Sequence, residues 1–380
     1  MLQRILIAPD KFKGSLPGPA ICELIEKGLL SACPGLRITR LPLADGGDGL
    51  LDMVLQYRAA ETRTAEVRDP LGRPVSARWL LSEQDGTAYI EMAAASGLDL
   101  LKPDEYDCMR ASTYGTGQLI REAIGAGVRE VILGIGGSAT NDGGMGMAAA
   151  LGYRFLDSRG EELSPGGENL SRIKTIGAPD QRIWEGIRFR VACDVKNPLC
   201  GPQGATRVYA PQKGATPAMV EVLESGMRHY AELVEAFTGR EIAGLPGAGA
   251  AGGLGAGCMA FLEAVLVGGT ELAIEYSHAE RLAREADLII TGEGRLDHQT
   301  LQGKLVSGIA ALGKKYDKPV VAICGSLELT PEELREAGIT AAFSIVSKPM
   351  SLEEAIGEAP RLLYSLSCNI GSLLALRILP

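Results

Sequence analysis

The chain has 380 residues, of which 46% are hydrophobic and 5% aromatic, and it contains 49 glycines. This length fits two domains of ordinary size, and the composition is typical of soluble α/β enzymes and excludes a fibrous or disordered chain. The net charge of −9 argues against a general nucleic-acid or anionic-membrane binder, because such proteins need a broad basic surface.

The eight cysteines are scattered without any C-x-x-C pair, which predicts reduced and mostly buried thiols. The sequence enters a strand directly, with no charged and apolar leader, so we expect a cytoplasmic protein. One uncharged segment, residues 242–262, is long enough for a membrane helix, but 13 of its 21 residues are Gly or Ala and it contains Pro246. We therefore expect no membrane insertion.

The first segment alternates between strand and helix signals. Residues 4–10 (RILIAPD) predict a buried strand, and residues 14–30 predict a helix with Ser15 as its N-cap and Pro17 in its first turn. Residues 36–49 predict a second strand that ends in glycines and acids, and residues 50–58 a second helix. The chain thus begins as βαβα.

The middle of the chain has a different pattern. A meander of three extended runs begins near Thr64, joined by DPLG and QDG turns. Further predicted elements follow in chain order: a helix at 117–126, a strand, loop and helix at 130–152, a hairpin at 153–163, a strand at 187–199 and a long helix at 217–237.

Strands and helices alternate again after Ala286. The two alternating ends predict one doubly wound parallel sheet, residues 1–65 with 285–380, and the middle, residues 66–284, predicts an inserted mixed α/β domain.

The stretch GIGGSATNDGG is the most informative loop of the chain. It satisfies the dinucleotide fingerprint G-x-G-x-x-A with Gly134, Gly136 and Ala139, and Asp157 follows where a ribose-binding acid is expected. However, a dinucleotide site needs a helix that starts at once, and this loop continues for several residues. A P-loop is excluded because no Lys follows the glycines.

What remains is a loop whose amides and small polar side chains can hold phosphate oxygens. We expect nucleotide contacts from Gly136, Gly137, Ser138, Thr140, Asn141, Asp142 and Gly143. The alternative is that these glycines only allow close helix packing.

Two further motifs follow the first two strands. APDKFKGS places Lys11, Lys13 and Ser15 at a carboxyl-terminal sheet edge, where a carboxylate or phosphate is expected to bind, although these lysines also fit a solvated surface. LADGGDG presents Asp45 and Asp48 on a glycine turn, which suits a proton acceptor, a hydroxyl contact or magnesium, or simply a turn.

Later strands end in the same way. ITGEGRLD places Glu293, Arg295 and Asp297 after a strand, and CDVKNPL places Asp194 after another. The histidines lack paired metal spacing and no G-x-S-x-G elbow occurs, so acid and base chemistry falls to carboxylates or lysine.

Taken together, these motifs resemble the type I glycerate kinases of bacteria. The similarity rests on the following segments, which occur in the family's order across nearly the whole chain: APDKFKGSL, LADGGDG, GIGGSATNDGGMGM, CDVKNPLCGPQGA, APQKGA, GAGAAGGLG and TGEGRLDHQTLQGK. The resemblance implies a flavodoxin-like domain interrupted by a second α/β domain, with the cleft between them. It also implies ATP- and Mg²⁺-dependent phosphorylation of D-glycerate, with 2-phosphoglycerate as the product in bacterial glyoxylate and glucarate metabolism.

Within this hypothesis we assign roles to the candidate residues. Lys11 neutralises charge, and Asp45 or Asp194 accepts the hydroxyl proton. The residues expected to contact glycerate are Lys13, Ser15, Asp48 and Arg295, with Arg295 on its carboxylate. Asp194 and Glu293 are the metal candidates.

Two alternatives remain open, an NAD(P)-dependent hydroxy-acid dehydrogenase and a non-catalytic sensor of small anions. For partners we expect glycerate, with neither nucleic acid nor membrane, and the sequence leaves a homodimer open.

Overall fold

A computed structural model describes residues 3–43, 49–298, 300–302 and 305–376. The strands are β1 (Arg4–Ile7), β2 (Arg37–Arg40), β3 (Glu61–Arg68), β4 (Pro74–Ser82), β5 (Thr87–Glu91), β6 (Glu130–Gly134), β7 (Arg154–Leu156), β8 (Thr175–Gly177), β9 (Arg188–Ala192), β10 (Val265–Val267), β11 (Leu288–Leu296), β12 (Val320–Leu327) and β13 (Ala341–Ser344).

The α-helices are α1 (Gly18–Ala32), α2 (Leu50–Tyr57), α3 (Ala93–Ser96), α4 (Tyr114–Gly125), α5 (Met145–Ala150), α6 (Ala205–Tyr209), α7 (Pro217–Thr238), α8 (Ala250–Phe261), α9 (Gly269–Tyr276), α10 (Ala279–Glu285), α11 (Leu305–Lys315), α12 (Pro331–Glu336) and α13 (Leu352–Ala375). Short 3-10 helices occur at Leu98–Leu100, Pro103–Glu105, Gly167–Arg172, Pro211–Lys213 and Thr300–Gln302.

The described residues form two compact units, residues 3–43 with 270–376 and residues 49–269. The boundaries thus fall between 43 and 49 and between 269 and 270, earlier in the chain than the expected 65 and 285. Two contacts account for the difference. Helix α2 packs on β5 of the second unit, and α10 packs on α11 and β1 of the first.

The first unit is built on a parallel sheet in the order β13-β12-β11-β1-β2. Numbered within this unit alone, the order is 2-1-3-4-5, which is that of flavodoxin-like folds. The predicted doubly wound parallel sheet is therefore confirmed.

Two apolar cores cover the two faces of this sheet. Ile323 of β12 packs in a core with residues of α1 and α13, whereas its neighbours Ala322 and Cys324 pack in a second core with residues of α11 and α12. Successive side chains of a strand point to opposite faces, so this alternation shows helices on both sides.

Helix α1 starts differently from the prediction. Its N-cap is Pro17, without a side-chain hydrogen bond, and the hydroxyl of Ser15 instead donates to the Ile356 carbonyl at 3.4 Å. The prediction of Ser15 as the cap is wrong, because Phe12 and Leu16 close a tight turn that ends just before the helix.

The second unit contains a mixed six-stranded sheet in the order β10-β9-β6-β5-β4-β3. The predicted meander is confirmed, since β3, β4 and β5 pair antiparallel, while β5, β6, β9 and β10 pair in parallel.

The predicted hairpin at residues 153–163 is only partly correct. A turn does form at Asp157–Gly160, but β7 pairs mainly with β8, which lies about twenty residues further along the chain.

Candidate active site

In the first unit, the ends of β1 and β11 bring two of the predicted motifs together. The backbone N–H of Asp10 donates to the Gly292 carbonyl at 2.8 Å. Two residues further along β11, Gly294 lies close to the segment after β1, since a methyl group on Gly294 would lie 3.5 Å from the backbone nitrogen of Lys13. The APDKFKGS and ITGEGRLD motifs therefore run side by side at the carboxyl edge of the sheet, where open α/β sheets bind ligands.

The side chains at this edge carry both signs of charge. Lys11 is half-buried and Lys13 is exposed at the tip of the turn closed by Phe12 and Leu16. Glu293 is only 9% exposed and pairs in the sheet with Cys324, whose pKa burial raises to about 12. The two motifs thus bring a half-buried lysine and a nearly buried carboxylate to the same edge of the sheet.

The structure gives Arg295 carboxylate partners within the protein. Its guanidinium donates to Glu328 at 2.7 and 2.8 Å and lies 3.5 Å from Asp297. The side chain is nevertheless exposed. Binding of a substrate carboxylate by Arg295 would therefore require an exchange of partners, a condition that the spacing of the motif does not reveal.

Asp45 and Asp48 lie outside the described residues. Their assigned roles remain chemical proposals.

In the second unit, the loop between β6 and α5 runs from Ile135 to Gly144. Only two of its residues are accessible: Gly136 is half-buried and Gly137 exposed, while Ser138 is 9% exposed. Of the predicted nucleotide contacts, the four residues Thr140, Asn141, Asp142 and Gly143 are buried. A phosphate can reach the Gly136–Ser138 turn, but not the rest of the loop, unless the loop moves.

The burial of Asp142 reflects a structural role within the loop. Its carboxylate accepts hydrogen bonds from the backbone N–H of Thr113 at 2.8 Å and from those of Gly144 and Gly146 at 3.1 Å, and from the Thr113 hydroxyl at 2.9 Å. Burial raises the pKa of Asp142, and these donors oppose the shift. With its oxygens so occupied, this side chain holds the loop against the start of α4 and is not available to a phosphate or its metal.

The Gly-rich segment around α8 packs directly on the same loop. Gly252 has a φ of +67°, its carbonyl accepts a hydrogen bond from the Gly143 N–H at 3.0 Å, and a methyl group on Gly252 would lie 1.9 Å from the Thr140 carbonyl. Backbone therefore meets backbone at this contact. This contact fits the alternative explanation for the glycines, close packing, in the buried part of the loop.

Sequence reasoning missed Lys213, which lies beneath this loop. It is 2% exposed, and its Nζ donates to the Ser138 hydroxyl and the Thr140 carbonyl, both at 2.7 Å. One signal could have pointed to it. Residues 195–220 contain three cations and no acid, in a chain whose net charge is −9.

Asp194 lies beyond the end of β9, in the second unit, and is exposed. Its carboxylate accepts the backbone N–H of Gly269 at 2.7 Å. Within the described ranges, no group of three or more His, Cys, Asp or Glu side chains is arranged to hold a metal ion. Magnesium, however, is usually bound by one or two carboxylates together with substrate phosphates, so Asp194 and Glu293 remain compatible with that mode.

The geometry disfavours the dinucleotide alternative. Helix α5 begins only at Met145, well after the G-x-G-x-x-A glycines, so no helix N-terminus meets a pyrophosphate there. Asp157, the expected ribose contact, instead accepts the backbone N–H groups of Arg159 and Glu161 at 2.8 and 3.0 Å, which lower its pKa. It stabilises a turn.

No helix among the residues that the structure describes is long and apolar enough to cross a membrane.

All eight cysteines are free; four are buried and four half-buried. Burial raises the pKa of Cys22 and Cys200 to about 12, so these thiols are protonated at neutral pH.

The described residues thus form an α/β protein in which a flavodoxin-like unit, with charged groups at its carboxyl edge, is interrupted in sequence by a mixed α/β unit with an accessible glycine turn. Comparison with known proteins identifies its family. A sequence model of the glycerate kinase family matches residues 5–375, so the chain belongs to the glycerate kinase family. The resemblance noted from the motifs is thereby confirmed.

Several relatives are similar over nearly their full length. The chain is 45% identical to a glycerate kinase of Halalkalibacterium halodurans, over 97% of each chain. It is 42% identical to the glycerate 2-kinase of Escherichia coli K12, over 98% of each chain. A solved structure of a glycerate kinase 2 from Salmonella typhimurium LT2 superposes with a TM-score of 0.83 at 41% identity, over 99% of each chain.

Proposed function

We propose that the protein transfers the terminal phosphoryl group of ATP to the 2-hydroxyl of D-glycerate, giving 2-phosphoglycerate and ADP. The observation that carries this proposal is the similarity to glycerate kinases along almost the whole chain, including one from E. coli that is named a 2-kinase. No described feature favours the dehydrogenase or the sensor over this reaction.

Phosphoryl transfer depends mainly on positioning and on positive charge around the moving group. In the first unit, Lys11 supplies that charge, and Lys13 and Ser15 bind the glycerate together with Asp48. Lys11 and Lys13 flank Phe12 in the turn beside Gly294, so both belong to one short segment at the end of β1. Arg295 binds the glycerate carboxylate after it exchanges its partner Glu328.

In the second unit, the accessible turn Gly136–Ser138 receives the nucleotide phosphates, and the buried residues from Thr140 to Gly143 hold this turn in place. Asp45 or Asp194 accepts the proton of the attacked hydroxyl.

Glu293 and Asp194 are the candidate carboxylates that would hold Mg²⁺ together with the nucleotide phosphates, and the bound ion would supply neutralisation of phosphate charge. Two carboxylates suit this ion, which keeps several of its ligands as water or phosphate oxygens.

The cytoplasm is the proposed compartment. The eight free thiols, none of them in a disulfide, fit a reducing environment.

The proposal is tested by ADP release from the purified protein with ATP and Mg²⁺. ADP is expected with D-glycerate, at a much lower rate with L-glycerate, and not with either substrate omitted. Absence of D-glycerate-dependent ADP, or a change in reduced-nicotinamide absorbance instead, would contradict it.

A further inference from the structure

Lys213 is a buried ammonium without a carboxylate partner. It ends the short helix Pro211–Lys213, and Gly214 follows in the left-handed region with a φ of +93°. Within the described ranges, no Asp or Glu oxygen lies within ion-pair distance of its Nζ. Its two hydrogen-bond acceptors, Ser138 and Thr140, are neutral.

Such a group is costly to bury. Lysine is almost never fully buried unless it is paired, because the charge loses its hydration. Burial lowers the pKa of Lys213 to about 8, and the nearby Asp142 and Cys108 only partly oppose that shift. A neutral side chain could hold a hydroxyl and a carbonyl at less cost, so the charge itself calls for an explanation.

The turn above Lys213 has backbone N–H groups that are available to an anion. The backbone N–H groups of Gly136, Gly137 and Ser138 donate to no acceptor in the part of the chain that the structure describes. Gly137 has a φ of +70° at the exposed tip of the turn. Successive N–H groups in such a turn form an anion-binding concavity.

A second buried group next to it also lacks a partner. The hydroxyl of Thr140 is fully buried and makes no hydrogen bond to any residue that the structure describes, although the carbonyl of the same residue accepts from Lys213. The cluster of Lys213, Ser138, Thr140 and the Gly136–Ser138 amides thus contains more donors than the protein itself uses.

We propose that Lys213 is a positioning residue for a nucleotide polyphosphate, fixing Ser138 and placing positive charge beneath the Gly136–Ser138 turn. This inference rests on the proposed function, because it assigns the anion of that turn to the phosphate chain of ATP or ADP. Lys213 acts through Ser138 and through its charge, not by contact with the reacting atoms.

The proposal predicts that polyphosphate binding is linked to a proton. The ammonium is present in the free protein below about pH 8 and is lost above it. A bound polyphosphate favours the charged form, so affinity falls as the pH rises through 8 by up to about tenfold per unit. The titratable groups that face Lys213 are Asp142 and Cys108, and the pKa of Cys108 is raised to about 11, so that thiol stays protonated at neutral pH.

The test measures affinity for inorganic tripolyphosphate, ADP and ATP by calorimetry at pH 7.5 and 9.5. The variants are Lys213→Met, which keeps the packing and removes the charge, and Lys213→Arg, which keeps the charge. Lys174→Met, at an exposed lysine of the same unit, is the matched control.

We expect wild type and Lys174→Met to lose at least tenfold in tripolyphosphate affinity between the two pH values. Lys213→Met is expected to bind at least tenfold more weakly at pH 7.5, with little change at pH 9.5, and Lys213→Arg to bind without this pH dependence. In turnover, Lys213→Met should raise KM for ATP more than it lowers kcat or changes KM for glycerate.

Equal affinities of wild type and Lys213→Met at pH 7.5 would overturn the inference, as would the same loss at both pH values. If Lys213→Met does not fold, the wild type alone provides the test. A wild-type affinity for tripolyphosphate that is constant from pH 7.5 to 9.5 would then overturn the inference. The two proposals fail separately. Tripolyphosphate binding does not depend on glycerate, so wild type that binds without releasing ADP contradicts only the proposed function.

Discussion

At the residue scale, the site depends on charges that the fold leaves partly buried. Lys11 is half-buried at the end of β1, next to the segment that carries Glu293, whereas Lys27 on α1 is exposed and pairs with Glu23. A charge at a ligand-binding sheet edge contributes to transition-state stabilisation. An exposed ion pair, by contrast, contributes little to the stability of the protein.

Lys11→Met should therefore lower kcat by about 100-fold or more, since loss of one charge-stabilising group typically has that effect. Lys27→Met is the matched control and should leave kcat within twofold. Steady-state assays measure both, and thermal unfolding shows whether the fold is intact. Near-normal turnover of Lys11→Met would remove this lysine from the chemistry.

Asp45→Asn should depress turnover far more than stability if Asp45 is the proton acceptor. Asp52→Asn, at an exposed carboxylate that pairs with Arg78, is a suitable control and should change neither turnover nor stability. Comparison of kcat with the unfolding midpoint separates the two effects. Unchanged turnover of Asp45→Asn would leave Asp194 as the proposed base.

Asp142 belongs to the structural part of the loop. An amide in its place puts a donor against the N–H groups of Thr113, Gly144 and Gly146. Asp142→Asn should lower the free energy of unfolding by about 3 kcal/mol, because buried donors lose an ionised acceptor. Urea unfolding measures this. A stable variant that binds ATP poorly would instead restore the direct role assigned from the sequence.

Burial of Lys213 also has a consequence for stability. Burial lowers the pKa of Lys213 in the folded protein from its ordinary value of 10.5 to about 8, so between these pH values the unfolded chain binds up to one more proton. Relative to Lys213→Met, the free energy of unfolding of the ligand-free wild type should rise from pH 8 to 10 by up to about 1.4 kcal/mol per unit. A flat difference in urea titrations would mean that Lys213 keeps an ordinary pKa.

At the element scale, periodicity alone predicted much of the fold. The alternation of strand and helix at both ends is local, and it predicted the doubly wound parallel sheet of the first unit, whereas the flavodoxin-like fold was implied only by the family resemblance. Features that depend on distant partners were not predictable. Strand β7 pairs mainly with β8, about twenty residues further along the chain, and Asp142 is held by Thr113, 29 residues away.

The contact between α8 and the loop before α5 is the packing feature that fixes the glycine turn. Gly252→Ala should lower the free energy of unfolding by about 3 kcal/mol, because the methyl group meets the Thr140 carbonyl and the residue keeps a positive φ. Gly244→Ala has open space around it and should change stability by about 0.5 kcal/mol or less. Equal stability of both variants in urea would contradict the described packing.

At the scale of the whole molecule, the sequence motifs identified the family, and the structure shows which of the candidate residues are accessible and which already have partners. Repeated motifs of glycines and charged residues at strand ends can be recognised in the amino-acid sequence. The solvent accessibility of those residues cannot, because it depends on the packing of residues far apart in the chain. Only the Gly136–Ser138 part of the predicted phosphate loop remains accessible, and Arg295 already has Glu328 as a partner.

The central claim is phosphorylation of D-glycerate at its 2-hydroxyl, and phosphorus NMR of a reaction with ATP and Mg²⁺ tests it most directly. The account predicts a new phosphomonoester signal coupled to the single proton on carbon 2, formed together with ADP and absent without protein. A signal coupled to the two protons of carbon 3 would contradict the proposed position of transfer. An unchanged ATP spectrum would contradict the reaction itself.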